Sequence, residues 1–189
     1  MLGWVGRDAV IAMFSLSLSL NPDRKPLEIT AEVLDNIFSI DLEMHDSLMI
    51  SLCYFFEDFQ TFHFKVSGFG SDSWPVSHST ELSNYLEVAP DILEWIDDGY
   101  PGEFVLEFYE QGFRMDISLQ KNGSMISATI NNSGWEPGEK HDSISQHDFE
   151  SAFFEINKLF LKHSVSAFPQ IRTLSFFPTI VELCQGEID

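Results

Sequence analysis

Positive charge is what this chain has least of: ten Lys+Arg stand against thirty Asp+Glu, a formal charge of −20. A surface this negative repels nucleic-acid phosphate and anionic lipid, which argues against nucleic acid and against a membrane as partners. Cysteine is scarce too. Cys53 and Cys184 cannot build a disulfide framework, and both sit among apolar neighbours, as expected of buried thiols in a reducing compartment. A single bridge between them is the alternative. Long apolar runs are missing as well. In residues 1–20 Arg7 is the only positive flank, Asp8 interrupts the run, and no small-x-small cleavage site follows. That pattern makes a poor signal peptide and is too polar for a membrane span. The expectation is a soluble, cytoplasmic protein, with residues 1–12 a poorly ordered leader and residues 13–189 a single α+β domain.

The motifs that announce chemistry are also absent. There is no phosphate-binding loop, dinucleotide fingerprint, zinc-protease helix, Cys-x-x-Cys pair, EF-hand loop or nucleophile elbow. Gly68 and Gly70 are too few for a phosphate cradle and have no basic residue beside them. Glu136, Glu139, His141, Asp142, His147 and Asp148 bring metal-ligand types together, yet acidic loops with histidines are common without metal. No catalytic residue, metal or cofactor is therefore expected, and the chain does not read as an enzyme.

What is present is core material: 44% hydrophobic residues with eighteen Phe, ample for a packed interior. Leu alternates with Ser from Phe14 to Leu20, which predicts a strand with Phe14, Leu16, Leu18 and Leu20 on one face. Thr30 can cap a short helix carrying Val33, Leu34, Ile37 and Phe38. Residues 48–56 alternate weakly and read as a strand, returning through residues 62–66 as a hairpin. A helical region over 81–98, capped by Ser79 or Thr80 and divided by Pro90, precedes a three-stranded meander. In the meander Phe104, Leu106 and Phe108, then Phe113, Met115, Ile117 and Leu119, then Ile126, Ala128 and Ile130 face one side, with Asn122-Gly123 as the second turn. Residues 134–143 read as a polar loop. Ser145 and Asp148 resemble a capping box, and Phe149, Ala152, Phe153, Ile156, Leu159 and Phe160 give the stripe of a long helix. Phe154 and Leu161 lie on its second side, to be covered by residues 168–183 or by an oligomer contact. The predicted fold is α+β: an antiparallel sheet, meander plus hairpin, covered on one face by helices.

The charge is unevenly placed. Across residues 26–113 the only Lys or Arg is Lys65, while eighteen of the thirty acids fall there. At about 100° per residue, Glu87, Asp91, Glu94 and Asp98 lie within about 60° of one another on a helix. Like charges four apart destabilise a helix by roughly 0.2–0.5 kcal/mol per pair, and no cation relieves Glu87/Asp91 or Glu94/Asp98. Trp95 flanks this arc, and a partly exposed Trp rimmed by charge suits an interface. The plainer reading is a solvated acidic face with Trp95 tucked into the edge of the core. The functional reading takes Glu87, Asp91, Glu94, Trp95, Asp97, Asp98, Tyr100, Glu103 and Glu107 as a surface for a basic protein partner.

In size, α+β composition, net charge and the acid–aromatic run from Asp91 through Trp95 to Tyr100, the chain resembles bacterial immunity proteins of contact-dependent and polymorphic toxin systems. The resemblance implies a module that neutralises a cognate toxin domain by occluding its active site or substrate groove. A small-molecule-binding domain or enzyme, with a pocket between the sheet and the C-terminal helix, is the rival reading.

Overall fold

The computed structural model describes residues 13–38, 44–74, 76–110, 113–130 and 140–188. The expected leader, residues 1–12, lies outside them. Among the described residues six strands form two antiparallel sheets. In the first, β1 (Ser15–Leu20) pairs with β2 (Phe62–Ser67), and in the second, β3 (Glu103–Glu110), β4 (Phe113–Asn122), β5 (Met125–Ile130) and β6 (Lys140–Ser145) lie in sequence order. The α+β class and the meander follow the expected pattern. Leu106, Phe108, Ile117, Leu119, Ile126, Ala128 and Ile130 are all buried, while Val105 and Glu107 face outward.

The expected hairpin of residues 48–56 with 62–66 does not form. Residues His45–Asp58 are a helix, α2, and β2 finds its partner some forty residues back in β1, where Leu16 meets Val66 and Leu18 meets Phe64. The segment carries both periods. Leu48, Leu52 and Phe56 repeat every four residues, Met49, Cys53 and Phe56 at four and three, and all five are buried. The fourteen-residue helix buries six residues, more than alternation over 48–56 would. The helix leaves Ile50 and Tyr54 outside.

Two turns also differ in detail from expectation. Asn122 stays in the ladder opposite Met125, so the tight turn is Gly123-Ser124, and only Gly123 has a left-handed φ (63°). Gly at the first central position is the signature of a type II′ hairpin, whose twist matches the strands. Residues 140–143, read as loop, add β6 to the sheet's edge; His141 is exposed, while Asp142 shares a face with the buried Ile144 and lies opposite Ala128. Asp142 on this strand accepts the Phe69 N–H at 2.8 Å and ties the second sheet to the loop after β2. A Cβ on Gly68, which has φ +130°, would come within 2.8 Å of the Phe14 backbone, so this junction requires glycine.

The helical layer begins with α1 (Ala31–Phe38), whose Val33 N–H is accepted by Thr30 Oγ1 at 3.2 Å. The central helical region opens not at Ser79 or Thr80 but at Ser77, on a π-helical turn, His78–Leu82. Leu82 and Ser83 donate to the carbonyls five residues back. Ser77 Oγ accepts the Thr80 N–H at 3.2 Å, and the buried Glu81 carboxylate returns to the Ser77 N–H at 2.6 Å. This is a capping box stretched by one residue to match the wider turn. It continues as α3 (Ser83–Glu87), breaks at Val88, and resumes as α4 (Ala89–Asp97) with Pro90 in its first turn.

Helix α5 (Gln146–Ala167) starts at Ser145, whose hydroxyl accepts the Asp148 N–H and donates to the Asp148 carboxylate. Its buried stripe, Phe149, Phe153, Ile156 and Phe160, packs toward β1 and the second sheet. The other side is covered by a 3₁₀ turn, Pro169–Thr173, and α6 (Phe177–Leu183). Leu161 is thereby buried within the chain and is not available for an oligomer contact. Cys53 and Cys184 are both free and buried.

At the centre Phe56 of α2 touches rings from three other elements: Phe62 of β2 at 5.2 Å, Phe160 and His163 of α5 at 5.6 and 5.4 Å, and Phe168 at 6.5 Å. Phe56→Ala is expected to cost about 3–5 kcal/mol in urea unfolding, because no neighbour can close that cavity without leaving its own packing. Burial also holds His45, His78 and His163 below the ordinary imidazole range, with carboxylates near the first two pulling back more weakly. The unfolded chain then binds protons the folded one does not, so stability falls as pH drops through about 6.5. Relief of the overall negative charge comes later, near the carboxylate range. Urea midpoints measured between pH 8 and pH 5 should fall on the acid side, and His163→Phe should flatten the slope.

Candidate acidic interface

The candidate surface is built on α4, the turn after it and the edge strand β3. Ala89, Ile92 and Trp95 turn inward, and Asp91, Glu94, Asp97 and Asp98 turn outward. Glu103 and Glu107 are exposed on β3, with Glu107 opposite Asp116 of β4. A charged edge strand discourages pairing with another chain's strand. Among the described residues, Asp91, Glu94, Asp97, Asp98 and Glu103 form no ion pair with a Lys or Arg of this chain. Lys65 sits elsewhere, on the outer face of β2 opposite Ser17.

How the acids are held is decided by the end of α4. Gly99, at φ +79°, donates to the Ile96 carbonyl at 3.0 Å, and Tyr100 donates to the Trp95 carbonyl at 2.7 Å. These are the two bonds of a Schellman motif, and its apolar contact is present as well: the Trp95 and Tyr100 rings meet edge to face at 4.8 Å. Trp95 continues onto Phe104 at 5.5 Å and Phe149 at 6.1 Å, and its indole N–H reaches the Pro101 carbonyl at 3.2 Å. The Tyr100 hydroxyl donates to the Glu150 carboxylate of α5, which also accepts from Gln146 at 2.8 Å. Burial, then the Glu150 bond and charge, push the Tyr100 phenol well above its usual range. Lys121 lies 4.5 Å from the Tyr100 ring centroid, a cation–π contact at the inner margin of the surface.

Two of the expected contact residues are therefore corrected. Trp95 is 5% exposed and Tyr100 7%, so neither offers a face to a partner. A helical wheel sees one helix, and the flank it left open for Trp95 is filled by Phe104, Tyr100 and Phe149 from β3, the turn and α5. Glu87 is half-buried at the end of α3, and burial raises its carboxyl above the ordinary range, with the nearby Asp46 adding to the shift. Asp46 of α2 is an exposed carboxylate that the sequence reading did not include in the surface. No protein-family model, curated protein or solved structure matches the chain.

His141 and Asp142 of the histidine–carboxylate segment have other partners. Asp142 is engaged with the Phe69 and Ser143 N–H groups, and His141 Nδ1 lies 3.1 Å from Thr129 Oγ1. No group of three His, Cys, Asp or Glu suited to a metal exists among the described residues, and Glu136 and Glu139 lie outside them. Among the described residues no helix is long and apolar enough to cross a membrane.

Scaffold and surface roles separate by mutation. Trp95→Ala should cost about 3–5 kcal/mol of stability, whereas Asp98→Asn and Glu94→Gln should leave it within about 0.5 kcal/mol or raise it slightly. Chemical denaturation of the three variants checks both.

Proposed function

We propose that this protein binds and masks a basic protein partner, in the manner of an immunity protein that occludes a bacterial toxin domain. The observation that supports this most is the run of exposed carboxylates on α4 and β3, which from Asp91 to Glu103 form no ion pair with a Lys or Arg among the described residues. Such an arrangement costs stability by like-charge repulsion, and Asp97 and Asp98 add to it by standing at the negative end of the α4 dipole. A cationic partner removes that repulsion on docking. It also gains a faster encounter, since opposed potentials steer association. The rigid support under Asp97 and Asp98 suits recognition, because a surface fixed before binding loses little entropy on binding.

The neighbouring reading frame in the encoding genome supplies the partner to test, by co-purification and by association kinetics. Association should slow steeply between low salt and about 0.5 M salt. Glu94→Lys with Asp98→Lys should slow it by about tenfold or more. An unchanged rate in both experiments would remove this reading.

A further inference from the structure

Helix α2 carries a row that the packing of the chain leaves uncovered. Asp46, Ile50, Tyr54 and Asp58 are spaced four apart, and all four are exposed. Ile50 is 37% and Tyr54 58% exposed, and among the residues whose side chains are described Tyr54 is the only exposed aromatic. Residues four apart on a helix are neighbours, about 5–6 Å between Cβ atoms, so Ile50 and Tyr54 make one apolar patch with a carboxylate at each end. A second line of acids runs along one flank. The Cys53 thiol, on the turn beside Tyr54, is pushed up first by burial and then by Glu87 and Glu57. Glu87 in turn feels Asp46, and the His45 ring feels Asp46 and Asp91. By helical spacing Asp46 and Glu57 fall on the same side of Tyr54 as Cys53, and α2 packs against α3, at whose end Glu87 stands half-buried. Lys25 bonds the Asp58 carbonyl at 3.0 Å, at the far end of α2.

We infer that Ile50 and Tyr54 are the apolar centre of the partner-binding face, seating an aliphatic or aromatic side chain of a cationic protein whose Lys and Arg residues meet the surrounding carboxylates. The inference rests on the proposed function and says where its affinity comes from. Interfaces draw most of their energy from a few well-covered aromatic and aliphatic anchors inside a polar rim. With Trp95 and Tyr100 buried, Tyr54 is the exposed aromatic side chain among the residues whose side chains are described, beside the exposed Ile50. Charge complementarity selects the occupant. Nucleic acid and anionic lipid would bring phosphate against Asp46, Asp58, Glu57 and Glu87. A second copy docked antiparallel on this row would oppose Asp46 with Asp58, a like-charge contact at both ends.

Two synthetic helical peptides with equal Lys content, one with a Leu face and one with Gln in place of each Leu, provide the probe. The Leu peptide should bind the full chain about fivefold or more tightly than the Gln peptide. Ile50→Ser with Tyr54→Ser should bring its affinity down to that of the Gln peptide. Both positions are exposed, so thermal unfolding of the double variant should match the wild type. Glu94→Lys with Asp98→Lys should weaken both peptides alike. Equal binding of the two peptides, or a double variant that binds the Leu peptide as the wild type does, overturns the anchor while leaving the acidic interface standing. Binding of neither peptide removes both. Sedimentation showing self-association that Tyr54→Ser abolishes would make a second copy the occupant and overturn the inference.

Discussion

The fold depends on burying Phe56. Its ring is the place where α2, β2, α5 and the segment after α5 meet. Once α2 turns that side chain inward, Leu48, Met49, Leu52 and Cys53 follow on the same half of the helix. β2 is then committed to lie beneath it, with Phe62 against Phe56 and Phe160. A lone strand cannot satisfy its backbone, so β2 takes β1 as partner, and α5 lies across the pair. The same geometry dictates what is left out: a helix with six buried residues in fourteen has one open side, and Ile50 and Tyr54 are on it.

Charge imposes the second constraint. With so few cations in residues 26–113, the acids there cannot be neutralised internally and must reach water. The exception is Glu81, buried where a helix begins, whose carboxylate meets the Ser77 N–H and hydroxyl at the positive end of the helix dipole. Most of the other described carboxylates of that stretch are exposed on outer faces, with Glu57 and Glu87 half-buried. Those faces hold together because the layer beneath is aromatic and cross-braced. The Schellman turn fixes Asp97 and Asp98, Trp95 bolts α4 to β3 and α5, and Tyr100 ties the turn to Glu150. Repulsion on the surface and packing beneath it are two sides of one arrangement.

What the sequence made legible tracks how local each signal is. The meander was readable because alternation, turn residues and length agree over residues 103–130. The α5 cap was readable because Ser145 and Asp148 are three residues apart. The pairing of β1 with β2 was not, since the two strands are separated by two helices and nothing in either names the other. Residues 48–56 satisfied both periods, and only tertiary burial arbitrated. The π-helical turn has no separate signature: Ser77 and Glu81 miss the usual capping spacing by one residue. Trp95 was readable after all. A glycine after Asp98, followed by an aromatic and preceded four residues earlier by another, is the pattern of a Schellman turn with its apolar contact. It would have placed Trp95 and Tyr100 inside.

That burial changes how the candidate surface must work. Carboxylates alone give a long-range pull that salt weakens, and pairs exposed to water contribute little once formed. They explain a fast encounter better than a lasting complex. Persistence needs apolar area removed from water at a fixed position, and with Trp95 and Tyr100 covered the α4 arc offers no exposed aromatic ring. The α2 row supplies it within the same field, an aromatic ring and an aliphatic side chain bracketed by Asp46 and Asp58. In the proposed binding, steering belongs to the carboxylates of α4 and β3 and anchoring to α2, the first governing association and the second dissociation.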